Sequence, residues 1–325
     1  MPKPKPKPKT EPGSSRSASL RRILRQVCAS LAAASLFLAV SSGFAAEPST
    51  PAPPPPPPLP PLTTASGSPR LPGKFVWADL VTDDLAAAQN FYGHLFGWTF
   101  RDVGGYVVAA NDERPLCGMF KRERAGRPDA KPRWFGYISV KDVAKAARTA
   151  TQAGGRTVAP PQKLPQRGEQ AICADPEGAL FGVVRSSGGD PQDFMAEPGD
   201  WIWIQLLSRD AKKAAEFYRQ VGGYEVVENK MGKGASDYVL TSEGYARGTV
   251  RTIPPGHEKV QPNWLPFVRV KNLADALAQT TQLGGAVRLA PKPELFEGKV
   301  AVVSDPTGAA IGLMEWNDAL LKGGR

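Results

Sequence analysis

Histidine and cysteine, on which much metal, redox and nucleophilic chemistry depends, are scarce here: two histidines and three cysteines in 325 residues. His94 falls in a helical pattern and His257 in a loop, each alone, as surface histidines do. No CxxC pair, Ser-His-Asp spacing or phosphate loop is present; Gly232-Lys233-Gly234 is too short for the last and reads as a turn. The common hydrolase, nucleotide and redox classes are therefore without support. Acidic residues are also outnumbered, 31 against 41 Lys and Arg, for a formal charge of +10. That excess is local. Residues 1–46 hold eight Lys or Arg and one acid, which accounts for +7 of it, and the rest is too nearly balanced to suggest a nucleic-acid partner.

What the first residues do have is the order of an export signal. A basic stretch ending in Leu20-Arg21-Arg22-Ile23-Leu24-Arg25 leads into an apolar run, Val27 to Val40, and Gly43-Phe44-Ala45 offers small residues for a signal peptidase. Cleavage after Ala45 or Ala46 would leave an exported protein of a bacterial periplasm or cell envelope. The alternative is an uncleaved anchor, the one route to a membrane that the sequence offers, because Val27–Ala46 is about 20 residues, barely a span. Of the 33 prolines, 17 precede Lys74, and 47–73 reads as a stiff, solvated linker. With Cys28 in the signal, Cys117 and Cys173 remain, either paired or as buried free thiols.

From Phe75 onward the chain repeats itself. FVWADLVTDDLAAAQNFYGHLFGW (Phe75–Trp98) alternates like a strand, then changes to helical spacing at Leu85, Ala88, Phe91, Tyr92 and Leu95. Asp84 stands where a helix N-cap is wanted and Gly97 where a helix stops. The pattern recurs at Trp201–Tyr224 with Asp210 and Gly223, at Arg133–Gly155 with Asp142, and from Asn263 with Asn272. Three short strands follow each helix. Four β-α-β-β-β units, of the α+β class, are expected to pair into two domains, each with a cleft between curved sheets. The boundaries drawn are 1–46 export signal, 47–73 linker, 74–187 first domain, 188–199 linker, 200–318 second domain and 319–325 tail.

These features resemble the vicinal oxygen chelate superfamily of glyoxalases, bleomycin resistance proteins and extradiol dioxygenases. The likeness is greatest to its two-domain hydroxylase-like and antigen-like members. It is carried by Trp77, Asp79, Leu80, Phe91-Tyr92, Leu95-Phe96-Gly97-Trp98, and the two DPxG stretches at Asp175 and Asp305, and it spans about residues 74–316. The resemblance implies two glyoxalase-like domains and a metal held by the first and last strands of each unit. Seven residues before each helix-starting residue stand Trp77, Phe135, Trp203 and Leu265. Seven after each DPxG Asp stand Gly182 and Gly312, and Gly118 and Gly248 align with them. None of these side chains binds a divalent ion, so no metal and no cofactor is expected.

Alternation places Phe75, Trp77, Asp79 and Val81 on one wall of the first cleft and Arg133, Phe135, Tyr137 and Ser139 on the other. Trp201, Trp203, Gln205 and Leu207 would face Asn263, Leu265, Phe267 and Arg269 in the second. Aromatic walls with a few polar groups suit a small molecule. The expected ligand-binding set is thus Trp77, Asp79, Gly118, Phe135, Tyr137, Gly182, Trp203, Gln205, Gly248, Phe267 and Gly312. Asp79 is the one candidate catalytic group, as a general base; alternatively it is a structural acid paired with Arg133 or capped by hydrogen bonds. Three functions stay in view: a metal-free binder of a small aromatic or apolar molecule, an enzyme (lyase, hydroxylase or dioxygenase) with a non-standard site, and an envelope structural or partner-binding module.

Overall fold

The structure is a computed structural model that describes residues 59–63, 67–122, 131–230 and 236–316. The export signal, residues 47–58 of the linker, the Gly232–Gly234 turn and the 319–325 tail lie outside the described residues. The first unit comprises β1 (Phe75–Thr82), α1 (Leu85–Phe96), β2 (Thr99–Asp102), β3 (Tyr106–Asn111) and β4 (Arg114–Lys121). The second comprises β5 (Arg133–Ser139), α2 (Val143–Gln152), β6 (Arg156–Leu164), β7 (Gly168–Ala174) and β8 (Leu180–Ser186). In the third are β9 (Trp201–Ser208), α3 (Ala211–Gly222), β10 (Glu225–Lys230), β11 (Ser236–Ser242) and β12 (Tyr245–Thr252). The fourth has β13 (Asn263–Val270), α4 (Leu273–Gln282), β14 (Ala286–Leu289), a 3-10 turn at Phe296–Gly298, β15 (Val300–Ser304) and β16 (Ala310–Glu315).

Each helix starts at the residue the repeat marks. The side chains of Asp84, Asp142, Asp210 and Asn272 accept from the amides of Ala87, Lys145, Lys213 and Asp275 at 3.0, 2.8, 3.1 and 3.0 Å. Such a cap contributes about 1 kcal/mol. Gly97 (φ 76°) and Gly223 (φ 71°) take the left-handed conformation that ends α1 and α3.

Two eight-stranded sheets result, ordered β2-β3-β4-β1-β5-β8-β7-β6 and β10-β11-β12-β9-β13-β16-β15-β14. In each sheet the two halves join through an antiparallel pair, β1–β5 or β13–β9. The cleft of each domain is therefore the inner face of one continuous sheet, and the helices cover the outer face.

Outer faces and helices of both domains share their cores. One cluster joins Phe91, Tyr92 and Trp98 to Val268, Leu273 and Ile311, and the other joins Ala147 and Phe181 to Phe217, Tyr218 and Trp264. Two polar relays cross this seam. Trp134 Nε1 donates to Tyr92 Oη (2.9 Å), which donates to Asp305 (3.0 Å). Trp264 Nε1 donates to Tyr218 Oη (2.8 Å), which donates to Asp175 (3.2 Å). The tyrosine of each Phe-Tyr pair thus bonds the DPxG aspartate of the other domain, while that aspartate's second oxygen accepts amides of its own turn, at Ala179 or Ala309.

Two expected wall residues lie elsewhere. Pairing shifts between Phe75 and Trp77, and between Trp201 and Trp203, and a bulge at those points turns the preceding residue to the other face. Phe75 packs on Trp264, centroids 4.7 Å apart, and Trp201 on Trp98 and Trp134 at 5.4 Å each, all in the seam. The stretch between the domains is anchored: buried Asp190 accepts from Ser139, Ser186 and the Leu71 amide, and buried Asp200 from Arg114 and Asn111. Cys117 and Cys173 are buried free thiols in different clusters. Burial pushes both thiols up, Cys173 to about 11, aided at Cys117 by the charge of Asp79.

Candidate functional site

The first cleft is closed and centred on Asp79. One oxygen accepts from Tyr106 Oη (2.6 Å) and Trp77 Nε1 (2.9 Å), the other from Tyr137 Oη (2.8 Å). All four residues are buried. Burial, and then the adjacent carboxylate, pushes both phenols well above their usual range, so both stay protonated donors. Arg133, the sequence's candidate partner, instead donates to the Lys131 carbonyl. Of the two roles for Asp79, the capped structural acid matches this geometry, and no side of the carboxylate faces solvent.

Arg167, which sequence reasoning missed, completes the network. It lies in the turn between β6 and β7, is 1% exposed, and stands 4.6 Å from the centre of the Trp77 ring. Its Nη2 reaches Tyr106 Oη (3.4 Å) and its Nε donates to the Pro60 carbonyl (2.7 Å). The guanidinium and the Asp79 carboxylate thus share Tyr106 as a bridge, which offsets two buried charges without direct contact. Pro60 belongs to the proline-rich run of the linker, and Leu62, at 2% exposure, packs with Trp77, Tyr106, Phe135 and Tyr137.

The metal implied by the superfamily does not fit this donor set. Around the expected centre stand Trp77, Gly118, Phe135 and Gly182, and Asp79, the nearest acid, already accepts from three donors. Among the described residues no group of three His, Cys, Asp or Glu could hold an ion. Glycine is required for room: a Cβ at Gly182 would lie 2.1 Å from the Tyr137 ring, and one at Gly118 1.8 Å from Tyr106 Oη. Aromatic and tyrosyl side chains fill the volume that ligating side chains would need.

The second cleft has the same frame and other contents. Register equates Gln205 with Asp79, because Gln205 pairs with Leu265 and Thr249 as Asp79 pairs with Phe135 and Gly118. Phe267 pairs with Trp203 and Gly312 as Tyr137 pairs with Trp77 and Gly182. A Cβ on Gly312 would lie 2.1 Å from the Phe267 ring. Gly248 is a correction. Its absent side chain would point to Ile204 and Trp264 in the seam, and the cleft position belongs to Thr249. The error lies in aligning glycine with glycine: by register Gly248 corresponds to Cys117, and Thr249 to Gly118. Trp203 and Gln205 are only half-buried; Trp203 Nε1 donates to Thr249 Oγ1 (3.0 Å), which lies 3.5 Å from Gln205 Oε1. Glu315 points away from this cleft, accepting from the first amide of α4 at 2.9 Å.

A groove of about 670 Å³ is lined by residues of both domains, among them Leu62, Trp77, Trp203 and Trp316. Lys74 and Arg247 edge it and both pair with Asp193, at 3.0 and 2.9 Å. Burial lowers the Lys74 ammonium below its usual value against the pull of Asp193.

Comparison with known proteins agrees with this architecture. The chain is 28% identical to the anthracycline biosynthesis protein DauV of Streptomyces sp. (strain C5), over 76% of this chain and 95% of that one. Its fold is similar to the 2,3-dioxygenase LapB from Pseudomonas sp. KL28 (TM-score 0.53, 14% identity, 76% of this chain and 93% of that one). It is equally similar to a Mn(II)-bound glyoxalase from Novosphingobium aromaticivorans (TM-score 0.53, 16% identity, 75% and 82%). Residues 74–183 match the family model of the glyoxalase/bleomycin resistance protein/dioxygenase superfamily, and that stretch is a domain of this superfamily.

Proposed function

We propose that the chain is an exported member of the superfamily that has lost the chelating ligands and binds a small, flat aromatic or apolar molecule against Trp203. The observation that carries this reading is the contrast between the clefts: the first is packed shut, whereas Trp203 is half-buried, lines the 670 Å³ groove and is backed by the half-buried Thr249 and Gln205. A ring face with amide and hydroxyl neighbours suits a planar ligand bearing oxygen substituents. The similarity to an anthracycline biosynthesis protein supports the same class, anthracyclines being flat fused-ring compounds.

Titration calorimetry with 1,4-dihydroxyanthraquinone tests it. Binding is expected to be saturable, unchanged by EDTA, and weakened about tenfold by Trp203→Ala, equal to about 1.4 kcal/mol. Binding abolished by the chelator, or indifferent to Trp203, overturns the proposal. Recovery of the compound unaltered separates binding from the enzymatic alternative, for which turnover is the required result. The envelope-module alternative draws support from the closed first cleft and none from the second. Export rests on residues 1–46, and N-terminal sequencing of the mature protein should start at Ala46 or Glu47. Among the described residues no helix is long and apolar enough to cross a membrane.

A further inference from the structure

Residues 59–62 of the Pro-rich linker are seated in the first cleft as a ligand would be. Leu62 fills the space beside Trp77, Tyr106, Phe135 and Tyr137, and Leu59 packs on the same cluster. The Pro60 carbonyl takes the hydrogen bond of Arg167 Nε at 2.7 Å. Arg167 is the informative residue. A guanidinium 1% exposed has no carboxylate within ion-pair distance among the described residues and spends its Nε–H on a neutral proline carbonyl. Prolines cannot donate backbone N–H groups, so Leu59-Pro60-Pro61-Leu62 offers this wall only side chains and carbonyl oxygens. The rest of the wall is preformed: the Asp79, Tyr106, Tyr137 and Trp77 bonds are satisfied within the cleft and need nothing from the linker.

We propose that the first cleft is a second ligand site and that residues 59–62 are its built-in occupant, holding it shut until displaced. The displacing ligand has a compact apolar body, which takes the place of the Leu62 side chain, and a carboxylate, which takes the place of the Pro60 carbonyl on Arg167. A carboxylate forms a charge-assisted bond to a guanidinium, stronger than the neutral bond it replaces, while the linker holds the advantage of being tethered. The site is therefore occupied in the resting protein and opens only when such a ligand outcompetes a tethered segment. This site is independent of Trp203 and of the proposal for the second cleft.

The probe is 4-phenylbutyrate, used with the full chain. In Leu62→Ser, which weakens the occupant, binding by calorimetry is expected to tighten at least tenfold over the wild type. Adding Arg167→Gln should abolish that gain, and Trp203→Ala should leave it intact. Hydrogen exchange on the unaltered protein supplies the second measurement, should Leu62→Ser fail to fold: saturating 4-phenylbutyrate is expected to speed exchange at Leu59 and Leu62 and to protect the 165–168 turn. Binding that Leu62→Ser does not strengthen, a gain that survives Arg167→Gln, or exchange at 59–62 unchanged by the probe overturns the proposal.

Discussion

The two clefts are built on one frame and differ by one acid and what that acid requires. Asp79 in the first has two tyrosine hydroxyls, an indole N–H and a bridged arginine. In the second, Gln205 replaces the acid, Phe267 replaces Tyr137, and the position matching Tyr106 is Asp237, which pairs instead with Arg251 on the neighbouring strand, Nε to Oδ1 2.9 Å. Both tyrosine hydroxyls disappear together with the charge that needed them, while the indole N–H remains and donates to Thr249. A buried carboxylate is costly unless every lone pair is satisfied, and satisfying this one fills the first cleft with rings. Replacing it by an amide frees the second cleft to remain half-open. The acid and the two tyrosines that serve it therefore separate a closed cleft from a half-open one.

The sharpest way to break the comparison is to remove the acid and its counterpart in turn. Asp79→Ala leaves three buried donors without their acceptor and a buried guanidinium without its bridged countercharge, and should cost about 3–5 kcal/mol. Gln205→Ala touches a half-exposed amide and should stay within about 1 kcal/mol. Urea denaturation of both variants at pH 7 measures the difference. Equal losses would show that the asymmetry is only one of shape.

The seam offers a second comparison. Asp175 is held by the Ala179 and Glu177 amides and by Tyr218, yet burial dominates and raises its carboxyl from the ordinary 3.8 to about 6. The folded state therefore holds this proton more tightly than the unfolded chain does. Its stabilising contribution is fully present below about pH 4 and is lost as pH rises through about 6, a difference of about 3 kcal/mol at most. Asp175→Asn keeps an oxygen for the two amides and removes the titration. The variant's stability should be flat across that window where the parent's declines on raising pH, as thermal denaturation between pH 4 and 7 would show. A parent whose stability rises through the window with a slope that Asp175→Asn removes would reverse the sign assigned to this group.

Much of this was legible in the sequence because it is local. The four caps, the strand and helix periods, Trp77 and Trp203 on the inner faces, and Gly182 and Gly312 seven residues after their DPxG aspartates follow from short-range counting. The errors arise where counting fails. Bulges at Phe75/Trp77 and Trp201/Trp203 turned the first residue of each strand to the seam, and matching one glycine to another placed Gly248 where register puts Thr249. Tyr106 and Arg167 carry no pattern of their own, since Tyr106 reaches Asp79 from β3 and Arg167 reaches Tyr106 from the β6–β7 turn only by tertiary approach. Leu62 was hidden by composition: a proline-rich stretch reads as solvated linker, and only the packed structure shows that this residue is interior.

The smallest test concerns a single oxygen. Tyr137 Oη donates to Asp79 at 2.8 Å, and Phe267 occupies the matching place against Gln205 with no hydroxyl. Phe267→Tyr would restore the oxygen next to an amide that can accept from it. If the hydroxyl in the first cleft is there because a carboxylate demands it, restoring it beside Gln205 should change stability by no more than about 0.5 kcal/mol, since the amide is half-exposed and already solvated. The same variant should leave the environment of Trp203 unaltered, which near-UV circular dichroism reads directly. A gain of more than about 1 kcal/mol would mean the second cleft lacks a donor it could use. Its openness would then come from missing contacts rather than from the absence of the acid.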